Sequence, residues 1–473
     1  MTISIKEWIE ERAEIFTGLS DAIWGFAETK FRETQSAQIL QDKLEEHGFR
    51  LQKEVGDIPT AFIGEWGSGS PIIAIMGEFD ALPSLSQKPQ PTKEPVVKGG
   101  AGHGCGHNLL GVGSLAACLV LKEIMIEQNL PGTIRYYGTP AEEGGAGKVF
   151  MINEGAFEGI DICMTWHPED LNMIHVQNWQ ALIGVKFKFY GTAAHAATDP
   201  YNGRSALDAV ELMNIATNYL REHVKPGILQ HYVITNGGGA PNVVPEYAES
   251  YHYIRASHIK DVLPVFERYK KIAEGACLMT GTTFEYEVTH GGSNYLSNQV
   301  IEEVLYEQMN DVGPPAFDEK DIEIGKGYRA TLPPDFFEGL VAKVPEQYRK
   351  LADHFRPMVV AQAVLPIFGR EVVIAGSSDV GDVSWNVPTA QFSSACYVIG
   401  TSGHSWQRTA QAATSIGHKG MLNAAKILAQ SGLKFLKTPG LVQKAKDEFA
   451  EKIAKTPYQP PFPPGTKPPF PEE

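Results

Sequence analysis

The sequence predicts an α/β protein in two parts. A mainly parallel-sheet domain is split over residues 1–182 and 292–473, and a smaller α+β domain of the split βαβ kind is inserted at 183–291. Apolar runs bounded by Pro and Gly, such as 71–77, alternate with helical stretches, as strands buried on both faces of a parallel sheet do. Near residue 183 the texture changes. Val185, Phe187 and Phe189 alternate with Lys186 and Lys188, the pattern of a half-exposed strand. From there to 291 the order reads strand, helix, strand, strand, helix, strand.

The N-terminal stretch carries two helices. The second, over 34–47, has Ala37, Ile39, Leu40 and Leu44 at helical spacing and Gly48 at its C-cap. Strands at 61–64, 71–77, 133–137 and 160–166 surround a small-residue helix over 111–128. In the insert, strands at 183–190, 231–235, 248–255 and 283–288 frame helices over 205–222 and 259–278. The α/β pattern resumes after 295, with strands at 371–375 and 392–399 and a helix over 409–429. Residues 309–360, charged and rich in Pro and Gly, resist assignment, and the Pro-rich 456–473 reads as an extended strap or a disordered end.

Composition narrows the function classes. Lys and Arg number 41 against 56 Asp and Glu, a net charge of −15, so nothing supplies the positive field that nucleic acid requires. The longest apolar runs, such as 72–76, fall far short of a bilayer span, so no membrane partner is expected. The charged N-terminus lacks the apolar core of a secretory signal. Cys105, Cys118, Cys163, Cys277 and Cys396 are odd in number and scattered, which fits a reduced, cytoplasmic chain.

The polar clusters fall at predicted strand ends, where ligands of open α/β sheets collect. Cys105 and His107 share a Gly-rich loop, Glu142 and Glu143 are adjacent after the next strand, and His167 and His404 each end a strand. Thiolate, imidazole and carboxylate together suit a borderline-soft divalent metal. Five donors exceed one tetrahedral site, which points to two metals, with the spare glutamate left to act on water. The other reading is a structural zinc site built by Cys105, His107 and their neighbours. The spare glutamate and the spread of the donors along the chain argue against it. Taken alone, His195 reads as an exposed turn histidine. Arg255, a buried guanidinium at a strand end, either grips a substrate carboxylate or pairs with an acid of its own sheet. Asp379 and Asp382 either brace the metal site or only end a strand. Gly237-Gly-Gly239 lacks the Lys-Ser/Thr of a phosphate loop, and the hydroxyls near His404 lack a nucleophile elbow.

Asp80-Ala-Leu-Pro83, Gly102-His-Gly-Cys-Gly-His-Asn108, Ala141-Glu-Glu-Gly144, Trp166-His-Pro168, Gly191-Thr-Ala-Ala-His-Ala196 and Gly403-His404 occur in this order. Together they resemble the amidohydrolase branch of the aminoacylase/carboxypeptidase metallohydrolase family, which includes the plant auxin-conjugate hydrolases. The resemblance implies two divalent ions per subunit, zinc or manganese, held by Cys105, His107, Glu143, His167 and His404. It implies that Glu142 is general base and then acid, and that Asp80 orients a metal ligand. It further implies a homodimer formed through 183–291, in which His195 reaches the partner's site to steady an oxyanion. Asn242 and Arg255 would recognise the substrate carboxylate. The expected reaction is hydrolysis of an N-acyl or aroyl amino acid, most specifically of the aminobenzoyl-glutamate type. An auxin–aspartate conjugate, a dipeptide, or the role of a non-catalytic subunit working with a second chain are the other readings. One departure stands out: Gly77-Glu78-Phe79 precedes Asp80 where many relatives carry Arg-Ala-Asp or a metal-binding His.

Overall fold

The computed structural model describes residues 3–342, 344 and 346–470. In chain order the strands are β1 (Arg50–Lys53), β2 (Phe62–Ser68), β3 (Ile72–Gly77), β4 (Gly132–Gly138), β5 (Ile162–Glu169), β6 (Met173–Ile174), β7 (Asn178–Trp179), β8 (Ala181–Tyr190), β9 (Leu229–Asn236), β10 (Tyr247–Ala256), β11 (Thr283–Gly292), β12 (Val373–Ile374) and β13 (Thr389–Ala395).

The larger sheet has seven strands in the order β1-β2-β4-β3-β5-β13-β6. Its four central strands, β4, β3, β5 and β13, run parallel. The flanking pairs are antiparallel, so the sheet is mixed, and the expectation of a mainly parallel sheet holds only for its centre. The edges differ because β1 to β2 and β5 to β6 are joined by connections too short for a crossover helix. The central strands are buried along most of their length, apolar in β3 but with buried Thr389, Gln391, Ser393 and Ser394 in β13.

The helix His107–Gln128 packs against this sheet. It starts four residues before the expected 111, because Gly106 at φ 78 turns the Gly-rich loop straight into the first helical turn. Among the described residues it is the one helix long and apolar enough to cross a membrane, and 83% of its most apolar window is buried inside the protein. Reading uninterrupted apolar runs passes over it, since Gly111, Gly113 and Ser114 break the pattern. Those residues are small for a reason: a Cβ on Gly113 would lie 2.8 Å from the Trp166 ring.

The smaller sheet, β11-β8-β10-β9, is antiparallel throughout. Helices Ala206–Leu220 and Ile259–Thr280 cover one face, burying Val185, Phe187 and Phe189. Other elements depart from expectation. The N-terminal stretch holds three helices, Ile5–Glu11, Ala13–Phe26 and Thr34–Glu46. The strand expected at 371–375 is only β12, which pairs with β7 outside the main sheet. The strand expected at 392–399 begins earlier, at Thr389, and ends at Ala395. The helix expected over 409–429 is broken into Trp406–Gln411 and Ser415–Lys437. Much of 309–360 is helical, including Glu319–Arg329 with a reciprocal Asp318/Asp321 capping box, Phe336–Ala342 and Arg349–Phe355. The Pro-rich tail is a strap as far as residue 470, the last described. The Tyr458 hydroxyl donates to Asp382 at 2.9 Å, Phe462 stacks on Phe150, and Phe470 meets Phe31 edge-on.

Candidate metal centre

The ends of β3, β4 and β5, the Gly-rich loop before the helix His107–Gln128 and the loop after β13 converge on one cavity of about 420 Å³. Glu78, Cys105, Glu142, Glu143, His167 and His404 line it. The Cys105 Sγ lies 3.6 Å from His167 Nε2. The ligating atoms of Cys105, His107 and His167 lie within 4.8 Å of one another, as do those of Cys105, Glu143 and His404. Cys105 is common to both groups. A third group of the same tightness joins Glu78, His107 and Glu142.

Asp80 locks two of these donors in place. One carboxylate oxygen sits 2.9 Å from His107 Nδ1, and the other accepts the Glu143 backbone N–H at 2.8 Å. With Nδ1 engaged, the His107 Nε2 points into the site. The His167 Nδ1 is backed by the Pro168 carbonyl at 3.2 Å. Glu169 Oε1 lies 3.8 Å from the same nitrogen, and Arg408 grips the Glu169 carboxylate with both terminal nitrogens, at 3.1 and 2.5 Å. Two non-glycine residues at the site take the left-handed backbone: Ala141 (φ 60), just before the glutamates, and His404 (φ 52). Such strain costs about 1–3 kcal/mol and persists where surrounding structure imposes it.

The electrostatics describe a place for cations. Burial pushes the Cys105 thiol up, but the His167 and His107 imidazoles overcome it and hold the thiol well below its ordinary value. Burial opposes charging of His107, yet Asp80, Cys105 and Glu78 draw its pKa well above the usual imidazole value. Hydrogen bonds to Cys105 and Glu143 raise His404 to about 10. The anions of the site thus hold protons on imidazoles, and a metal ion would replace those protons. Among the described donors, the buried His107 Nε2 and Glu78 Oε2 have no hydrogen-bond partner. They are 3.1 Å apart yet lack hydrogen-bond geometry. Stranding such atoms costs about 1–3 kcal/mol each, and divalent ions would satisfy them. The donor set fits such ions. Glu142 behaves differently: burial, then the charges of Glu78, Glu143 and Asp379, push its carboxyl well above the usual range.

Asp80, Cys105, His107, Glu142, Glu143, His167 and His404 are therefore brought together. Arg255 lines the same cavity but is half-buried, where a buried guanidinium was expected. It lies over the Tyr253 ring, 5.5 Å from its centroid, and donates to the Ala375 carbonyl at 3.5 Å. His195 and Asn242 are not in this cavity. Both are exposed and adjacent to each other, the Ala196 N–H donating to the Asn242 carbonyl at 3.0 Å. The His195 Nδ1 accepts the Ala197 and Thr198 N–H groups at 3.2 Å.

Sequence reasoning passed over a buried ion chain beneath the site. Lys148, fully buried, places Nζ 2.7 Å from Glu78 and 2.6 Å from Asp379, and its backbone N–H donates to the same Asp379 at 2.9 Å. Asp379 thus reaches the centre through Lys148. Asp382 turns away to Ser293 and Tyr458. The available signal was a lone lysine followed directly by Val149-Phe150-Met151, on the buried face of a short helix.

Residues 74–325 match the pattern of peptidase family M20/M25/M40. The chain is 42% identical to one of the subunits of the p-aminobenzoyl-glutamate hydrolase of Escherichia coli (strain K12), with 98% of each chain covered. It is 28% identical to the Xaa-Arg dipeptidase of Mus musculus, covering 94% of this chain and 91% of that one. In fold it is similar to a dinuclear metal-binding M20 peptidase of Bacillus subtilis, with a TM-score of 0.56 at 16% identity over 91% of this chain and 99% of that one.

Proposed function

Because this chain belongs to peptidase family M20/M25/M40, we propose that it is the metal-dependent amidohydrolase of an aroyl-amino acid, with p-aminobenzoyl-glutamate the leading substrate. The observation that carries this reading is the pair of donor groups meeting at Cys105 with the raised carboxyl of Glu142 beside them. Cys105, His107 and His167 would hold one ion, and Cys105, Glu143 and His404 the other. Bound zinc or manganese would supply acidification of water and polarisation of the scissile carbonyl. Glu142 takes the proton of the attacking water and delivers it to the departing amine. Asp80 keeps His107 oriented, and Arg255 on the rim receives the carboxylate of the amino acid.

A homodimer formed through 183–291 completes the site in this reading. The support is β9, a sheet-edge strand that leaves Tyr232, Val233 and Ile234 exposed, as a strand awaiting a partner does. His195 and Asn242, absent from the cavity of their own chain, would serve the partner's. Mixing inactive His195→Ala with inactive Glu142→Ala protein is expected to restore part of the activity, because one mixed dimer holds one intact site. Proven subunit exchange without recovery would remove the shared site.

The primary test is turnover of N-acyl amino acids by purified protein loaded with zinc or manganese, read by mass spectrometry. Release of p-aminobenzoate and glutamate is expected, lost on chelation and regained with metal. The Xaa-Arg dipeptidase relative favours a second reading, and preferential cleavage of dipeptides in the same screen would establish it instead. The Escherichia coli relative is named as one subunit of its hydrolase, which makes a second chain the other outcome: metal-loaded protein inert alone and active only with that chain.

A further inference from the structure

Beside the metal cavity lies a second cavity of about 290 Å³, walled by Met173, Leu340, Leu351, Phe355, Phe368 and Val372. His175 and Ile374 belong to the walls of both. The two cavities therefore meet at those side chains. Helices Phe336–Ala342 and Arg349–Phe355 close the far side, in a part of the chain beyond the 74–325 family match.

The chemistry of the two cavities contrasts. The metal cavity is charged, whereas the second offers aliphatic and aromatic side chains. Its few polar groups are mostly engaged. Gln177 donates to the Phe368 carbonyl at 3.1 Å, and the Tyr348 hydroxyl donates to Glu371 at 3.3 Å. At the junction the situation reverses. The His175 Nε2 is buried without a partner, and so is the Nε1 of Trp179, whose ring meets His175 edge-on and lines the metal cavity. Two orphaned ring nitrogens thus sit at the boundary shared by a charged chamber and an apolar one. Burial lowers His175 to about 4, so its ring is neutral and compatible with an apolar neighbour.

We propose that this apolar cavity is the subsite for the acyl half of the substrate, and that its occupant is a flat aromatic acyl group. The inference rests on the aroyl-amino acid reading above. The amide then lies at the junction, within reach of the donors around Cys105, while the amino acid half extends toward Arg255. The size suits one small ring: at about 290 Å³ the cavity lies just under the range of about 300–1,000 Å³ for ligand sites. The orphaned nitrogens of His175 and Trp179 face polar atoms of the entering acyl group, which relieves their burial. Selectivity for aromatic over short acyl groups is then set by Leu340, Leu351 and Phe355, far along the chain from the donor motifs.

The test compares p-aminobenzoyl-glutamate with N-acetyl-glutamate on metal-loaded protein. Ala352→Trp, on the wall helix, fills the chamber. The ratio of kcat/KM for the aminobenzoyl over the acetyl substrate is expected to fall at least tenfold, with metal content unchanged. Leu351→Ala enlarges the chamber, and the ratio of naphthoyl-glutamate over aminobenzoyl-glutamate is expected to rise. Unchanged ratios in both variants overturn the subsite. Calorimetric binding of p-aminobenzoate to the metal-loaded protein separates this proposal from the functional one. If the wild-type protein cleaves no aroyl-amino acid, the functional reading falls, and the cavity is then decided by whether Ala352→Trp weakens p-aminobenzoate binding at least tenfold. Equal binding by both proteins overturns it.

Discussion

Glu142→Ala lowers kcat on an N-acyl amino acid by about 100-fold or more, the size expected for loss of a general base, and leaves bound metal unchanged. The reasoning starts from its surroundings. Burial and the nearby charges of Glu78, Glu143 and Asp379 all push its carboxyl up, which moves a weak base toward the pH at which it can both accept and return a proton. Glu143, next in the chain, is arranged differently. Its backbone N–H is held by Asp80, and its Oε1 lies 3.2 Å from His404 Nε2 among the ligating atoms around Cys105. The adjacent glutamates thus fall in different donor groups, Glu142 with Glu78 and His107, Glu143 with Cys105 and His404. Glu143 itself leaves the helical backbone (φ −71, ψ 71). Glu142→Gln keeps the shape and removes the base, so it is expected to be as slow as Glu142→Ala. Elemental analysis of both variants and single-turnover kinetics check the claim. Normal turnover by either, with full metal content, would remove Glu142 from proton transfer.

Much of the centre could be read from the chain because its donors sit in short, Gly-rich motifs at strand ends. Cys105 and His107 stand two apart in a loop whose glycines allow sharp turns, and the apolar runs on either side mark β3 and the helix that follows. The four-stranded sheet was legible from the alternation of buried and half-exposed residues over 185–190, the later part of β8. What escaped has a common cause: the signal was tertiary. The outer strands of the large sheet run antiparallel because of connection length, which no periodicity reports. Residues 309–360 form short helices whose apolar side chains join small separate clusters, Phe337 and Phe355 in one and Tyr328 in another, and not the main core, so their pattern is diluted by charge. Glu78 registered only as a departure from the family pattern, because its role depends on Lys148 and Asp379, which are distant in sequence.

That buried chain carries the second large effect. Lys148→Met is expected to destabilise the metal-loaded protein by about 3–5 kcal/mol, the range for removing one partner from a buried ion pair. Burial raises the carboxyls of Glu78 and Asp379, and Lys148 is the leading influence that opposes this in both. Without it, two carboxylates remain in the interior with no cation between them. Methionine fills nearly the same volume, so the loss reports charge and not a cavity. Adding Glu78→Gln and Asp379→Asn to Lys148→Met should recover most of the stability, because neutral amides can share the hydrogen bonds that the ions made. Urea unfolding of the single and triple variants measures the difference. The single variant should also bind metal more weakly, since Glu78, freed from Lys148, is 3.1 Å from His107 Nε2 and can turn its second oxygen to that ring. A loss below about 1 kcal/mol, no more than an exposed pair provides, would show that Lys148 does not hold these carboxylates in place.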